Sequence, residues 1–135
     1  MTPERKASLE EAYKQTHYRV FCPQGDFTLH IGEYCEEMAA YAPWAFLTAC
    51  NPGSQLFHDS DNANRMSKLK ALLADRWLHF DALGVAPDET WREPSFFIAA
   101  IDQPSTTALA RQFGQLAYVY SNGGPARLIW VDDEP

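Results

Sequence analysis

Apolar residues recur along this chain in two rhythms, one near 3.6 residues and one near two, and the switches between them mark its elements. Thr2 is placed to cap a helix with Pro3 in its first turn. Leu9, Ala12 and Tyr13 fall on one face of that helix, and Glu10, Glu11 and Lys14 fall elsewhere, which predicts an N-terminal helix within 1–16. Two short strands are expected next, near His17–Cys22 and Phe27–Ile31, joined by Pro23-Gln24-Gly25-Asp26. Tyr34, Met38 and Tyr41 are spaced for one face of a short helix, which Pro43 stops.

From Trp44 to Cys50 the chain is almost continuously apolar, as in a strand buried on both faces. Asn51-Pro52-Gly53-Ser54 breaks it. A ten-residue connection, 51–60, leads to a helix expected at Asp61–Trp77, with Ser60 or Asp61 as cap and Ala63, Met66, Leu69, Leu73 and Trp77 as its buried stripe. On this reading Arg65, Lys68 and Asp75 lie off the stripe. Strands follow near Leu78–Leu83 and Ser95–Ile101, separated by a polar loop from Gly84 to Arg92. Asp102 and Pro104 open a last helix, Leu109 and Phe113 form its inner face, and Gly114 ends it. Leu116–Ser121 and Ala126–Val131 form a final hairpin around Asn122-Gly123-Gly124. The expected fold is α+β, or mixed α/β. It has one mostly mixed sheet of five to seven strands, with three to four helices packed on it.

Length and composition bound the function. The 135 residues make a single domain, 1–135, ending in a short acidic tail at 132–135. With 46% hydrophobic and 13% aromatic residues, a core can form without metal or disulfide staples. Eleven basic against eighteen acidic residues give a net charge of −7, spread over both halves. That balance argues against a protein held on nucleic acid by phosphate contacts, and against docking on anionic membranes. No apolar run approaches the roughly 20 residues that span a bilayer. Three cysteines, Cys22, Cys35 and Cys50, with no export signal, point to reduced thiols in a cytoplasm.

The candidate chemistry gathers in three places. Thr48, Asn51, Ser54 and Asn62 bracket the end of a buried strand and the start of the following helix. Ligands of open α/β sheets bind in such places, and helix N-termini there offer free N–H groups. Turn-forming and capping duties account for the same residues without any ligand. Glu93, between Arg92 and Pro94 and near Trp91, could be a carboxylate at a pocket rim, suited to acid or base work if desolvated; otherwise it is solvated or paired with Arg92. Gln115, after the Gly114 stop, could brace loop backbone or present its amide to a ligand. Cys50 and His58 straddle the Asn-Pro-Gly-Ser turn, but a cysteine ending an apolar strand is usually packing. His17, His30, His58 and Cys35 lack zinc spacing, so no metal and no cofactor is expected. No phosphate-binding glycine loop, nucleophile elbow or zinc-protease motif is present.

Taken together, Ala45-Phe46-Leu47-Thr48-Ala49-Cys50-Asn51-Pro52 with Ser54, then Asn62 and Leu69, Trp91-x-Glu93-Pro94-Ser95 and Phe113-Gly114-Gln115-x-Ala117 resemble the bacterial domain of unknown function 3293 family. The resemblance runs from about Tyr18 to Val131. It departs at Cys50, where a larger, often aromatic residue is expected, and at Met66, where a second polar residue is common. The resemblance implies a compact bacterial or phage domain and carries no activity or catalytic residue. Two functions remain open. One is a site for a polar or anionic small molecule, enzymatic or regulatory, built from Thr48, Asn51, Ser54, Asn62, Glu93 and Gln115. The other is a non-enzymatic interaction module, an adaptor or inhibitor that works through an edge strand such as 126–131 or an apolar patch around Trp91 or Trp130.

Overall fold

A computed structural model describes all 135 residues. Four helices, α1 (Pro3–Gln15), α2 (Glu36–Ala39), α3 (Asp59–Leu73) and α4 (Gln103–Gln112), accompany seven strands. The strands are β1 (His17–Cys22), β2 (Gly25–Leu29), β3 (Trp44–Leu47), β4 (His79–Val85), β5 (Arg92–Ile98), β6 (Ala117–Ser121) and β7 (Arg127–Trp130). All seven join in one sheet, in the order β2-β1-β4-β5-β3-β6-β7. The domain is α+β, with the expected number of strands.

Every neighbouring pair in that sheet is antiparallel. The mixture of parallel and antiparallel neighbours expected from the two strand–helix–strand units is absent, because the units interleave. β3 and β4 run the same way, but β5 lies between them; β5 and β6 run the same way, but β3 lies between them. Periodicity reveals each strand's faces and says nothing of which strand becomes its neighbour.

The alternation along β3 explains its continuous apolar run. Ala45 and Leu47 face a core completed by Leu69 and Leu73 of α3 and Leu109 and Ala110 of α4. Trp44 and Phe46 face the opposite core, with Tyr18 and Val20 of β1, Phe97 of β5 and Met38 of α2. The strand ends at Leu47, three residues early. There the Thr48 hydroxyl accepts the Cys50 N–H at 3.0 Å and donates to the Pro94 carbonyl at 2.7 Å, which turns the backbone away from the ladder.

Helix α3 also departs from expectation. It starts at Asp59 behind His58, with no side-chain cap, so neither Ser60 nor Asp61 holds the capping position. Its inward side carries Asn62, Arg65, Met66 and Leu69, while Ala63 is exposed and Trp77 lies beyond the helix end. Caps are as expected on α1 and α4. Thr2 Oγ accepts from Arg5 N at 3.1 Å, and Asp102 Oδ1 accepts from Ser105 N at 2.7 Å. The acidic end is tied down rather than free. Val131–Asp133 form a 3-10 turn, Arg111 donates to the carbonyls of Val131 and Glu134, and Lys6 lies 3.5 Å from Asp133. Trp130 is buried against Tyr13 of α1, ring centroids 5.9 Å apart, and forms no exposed patch.

Gly114 joins α4 to the loop after β3. It has φ +67°, and a Cβ there would sit 2.9 Å from Pro52 Cβ. Its carbonyl also accepts from Gly53 N at 2.8 Å. Gly114→Ala should therefore lower the unfolding free energy by about 2 kcal/mol, through left-handed strain plus the clash, as read by urea titration. A change within a few tenths of a kcal/mol would mean that this contact does not hold the loop.

Candidate functional site

Four strands, β1, β3, β5 and β6, bring polar residues to one end of the sheet. Along β3 the inward series Trp44, Phe46 continues to Thr48; along β5, Phe97 and Ser95 continue to Glu93; before β6, Val119 and Ala117 continue back to Gln115. Before β1, Val20 and Tyr18 lead back to Thr16, and β4 contributes Gly84 opposite Tyr18. Antiparallel order places the starts of β1, β5 and β6 beside the ends of β4 and β3. A face that is apolar along its length thus turns polar at this end.

A cavity of about 620 Å³ opens above that end. Its walls are the inner side of α1, the 51–56 loop and the 86–91 turn, with Asn51, Glu93 and Gln115 at their junction. A second, smaller space of about 50 Å³ lies among Glu93, Thr48, Tyr18 and Phe46. Tyr13, Thr16, Trp91, Glu93 and Gln115 border both spaces. The floor belongs to the sheet face turned away from α3 and α4. The first turn of α3, where a polar or anionic ligand was expected, lines no part of the cavity.

Asn51 is the hub. It sits in the left-handed region, φ 50° and ψ 58°, which Asn tolerates better than most residues. Its Oδ1 accepts from Phe57 N and from Asn62 Nδ2, each at 2.9 Å. Its Nδ2 donates to Glu93 Oε2 at 2.9 Å, and its backbone N–H donates to Asn62 Oδ1 at 2.9 Å. Asn62 thus lies behind Asn51 as a brace and borders neither space. Gln115 Nε2 donates to the Cys50 carbonyl at 2.9 Å and to the Phe113 carbonyl at 3.3 Å, so its bracing role and its place on the cavity wall coexist. Ser54 lines the cavity at its exposed side.

Glu93 is the chemically distinctive group. Burial pushes its carboxyl up from 4.5 to about 7, and the Asn51 hydrogen bond pulls the other way. Arg92 does not pair with it; that guanidinium lies 3.2 Å from Glu89 instead. Burial also raises the Tyr13 phenol, opposed by a hydrogen bond with Ser54. Cys50 is nearly inaccessible, and burial pushes its thiol up, opposite to what a nucleophile needs. His58 is exposed and makes no bond to it.

The sequence pattern missed Arg65. Its Nε donates to the Ala49 carbonyl at 2.7 Å and its Nη2 donates to the Phe113 carbonyl. The guanidinium lies 5.8 Å from the ring centres of both Phe57 and Phe113. It joins α3, the end of α4 and the loop from behind. A position three residues after Asn62 shares its helix face, which was the available signal. Thr16 and Tyr13 were missed because their helix was read for packing alone.

The chain is thus an α+β domain with a cavity at the polar end of an antiparallel sheet, bordered by one carboxyl of raised pKa. It belongs to the family described as protein of unknown function (DUF3293), whose model matches residues 47–118. That span is narrower than 18–131. It contains Thr48, Asn51, Ser54, Asn62, Glu93 and Gln115, and it leaves out α1, β1, β2, α2 and β7 entirely and most of β3 and β6. No curated protein and no solved structure matches the chain.

Two outcomes test this geometry. The folded state holds the Glu93 proton more tightly than the unfolded chain does. The resulting stability is present below pH 4.5 and is lost as pH rises through about 7. Glu93→Gln removes that dependence, so its advantage over wild type should grow by at most about 3 kcal/mol across this window in chemical denaturation. Equal pH slopes would mean that Glu93 is not desolvated. Arg65→Lys, which cannot fork between two carbonyls, should cost about 2 kcal/mol by the same method. A neutral result would show that the two carbonyls need no such clamp.

Proposed function

We propose that this domain binds a small polar molecule in the cavity between α1, the 51–56 loop and the 86–91 turn, and that Glu93 exchanges a proton or hydrogen bond with it. The observation that carries the reading is a carboxyl with pKa about 7 bordering a cavity of about 620 Å³. Such a group is half ionised near neutrality, which suits general acid–base work. A cavity of this size is in the range used for metabolites. Asn51 fixes the carboxyl through one oxygen, and Gln115 offers an amide beside it. Thr48 serves by turning the strand, and Asn62 by holding Asn51; Ser54 lies at the mouth. No helix is long and apolar enough to cross a membrane. Three unpaired thiols support a reducing, cytoplasmic setting.

The alternative is an interaction module. Leu56 is 88% exposed and Trp91 is 38% exposed, and both stand at the cavity mouth. An apolar rim of this kind can meet the body of a ligand or the side chain of a partner protein.

Asn51 holds too many bonds for Asn51→Ala to separate folding from binding. Trp91→Ala, at an exposed wall, serves better. A thermal-shift screen of wild type and this variant against amines, amino acids, sugars, nucleotides and acyl carriers should give a hit that the variant loses. A ligand at 100 times its dissociation constant adds about 2.7 kcal/mol, a shift of several degrees at this size. A screen blank for small molecules, with a protein partner lost on the same substitution, would establish the interaction module instead.

A further inference from the structure

The walls of the cavity have a charge character that sets the class of ligand. None of its sixteen lining residues is Lys, Arg or His, and two, Asp88 and Glu93, are acids. The arginines around it are engaged elsewhere: Arg65 holds the Ala49 and Phe113 carbonyls, Arg5 holds the Gly53 carbonyl at 2.9 Å, and Arg92 lies 3.2 Å from Glu89. Asp88 accepts both the N–H and the hydroxyl of Thr90, at 3.1 and 2.7 Å, which fixes its carboxylate and lowers its pKa. Only Oε2 of Glu93 is bonded within the protein, and both bonds of the Gln115 amide use its NH2 group. The acceptors Glu93 Oε1 and Gln115 Oε1 thus remain for a ligand.

The aromatic walls have the same preference. Tyr13 and Trp91 border both the cavity and the smaller space beside it. Aromatic faces carry negative quadrupole charge and attract cations, with Trp the strongest. The net charge of −7 adds a field that repels anions. Leu9, Leu56 and Pro87 supply apolar surface for a carbon body.

Resting on the small-molecule reading above, we infer that the cavity selects an organic cation, an ammonium or amidinium group on an apolar body. The charged end meets Glu93 Oε1 and Gln115 Oε1, and the body lies against Trp91. This narrows the polar or anionic ligand suggested by the helix start, since the first turn of α3 is outside the cavity and no cationic side chain lines it.

Shape-matched probes test the inference: phenethylammonium and benzamidinium as cations, phenylacetate and benzoate as anions, and phenethyl alcohol as the neutral control. Binding is read by Trp91 fluorescence against Trp91→Phe and by ligand-observed NMR at millimolar concentration. The cations should bind on the order of tenfold more tightly than the carboxylates. Glu93→Gln should weaken the cations by a similar factor and leave phenethyl alcohol unchanged. Gln55→Lys, at an exposed wall position, should bring the carboxylates up to the alcohol or beyond it. Carboxylates or alcohol binding as tightly as the amines would overturn the cation inference and leave the small-molecule site standing. Cation affinity unchanged in Glu93→Gln would do the same. No binding by any probe would overturn both readings together.

Discussion

The geometry of this domain's polar end depends on a single amide. Asn51 uses its Oδ1, its Nδ2 and its backbone N–H in four hydrogen bonds, to Phe57, Glu93 and both amide atoms of Asn62. A left-handed backbone aims these groups in three directions at once. Asp could not donate to Glu93 and would place a second negative charge beside it. A residue without the amide would leave Phe57 N and the Asn62 side chain without partners, at a cost of about 1–3 kcal/mol for each group that stays buried. The loop conformation, the orientation of Glu93 and the attachment of α3 are therefore one arrangement.

Around that hub, each neighbouring element contributes a contact that would be costly to lose. Arg65 reaches from α3 to carbonyls on both sides of the loop. Gly114 lets the end of α4 approach Pro52. Gln115 closes onto Cys50. Met66 receives the Ala49 N–H on its sulfur at 3.4 Å. These contacts satisfy backbone polar groups at the ends of the loop and leave Glu93 Oε1 without a partner in the protein.

Much of this was legible in the sequence, and the limits have physical causes. Local signals placed the caps at Thr2 and Asp102, the Gly114 stop and the two-faced burial of β3, because each depends on residues within a turn of chain. The unequal pattern of β5, with Pro94 and Glu93 ahead of its apolar stretch, delayed its expected start to Ser95; the ladder to β4 carries it back to Arg92. Neighbour order was not legible, since interleaving is decided by tertiary packing. Asn51 and Glu93 stood out as residues, yet their bond spans forty-two positions. The cavity's third wall, α1, was hidden because a helix with little amphipathic contrast gives no hint of what it covers. The helix start suggested a polar or anionic ligand there, but the cavity's walls are α1, the 51–56 loop and the 86–91 turn, and the first turn of α3 is not among them.

The position of α1 has an evolutionary consequence. The residues that fix and tune Glu93 lie within the segment that carries the family signature, 47–118, whereas Leu9, Ala12, Tyr13 and Thr16 on the opposite wall lie outside it. α1 has no fully buried residue. None of the four hydrogen bonds around Asn51 comes from α1, whose ties to the loop run instead from Arg5 to the Gly53 carbonyl and from Tyr13 to Ser54. On the small-molecule reading proposed above, the residues that hold the carboxyl and the wall opposite them would be mutable apart, and drift in the first sixteen residues would alter which molecules fit.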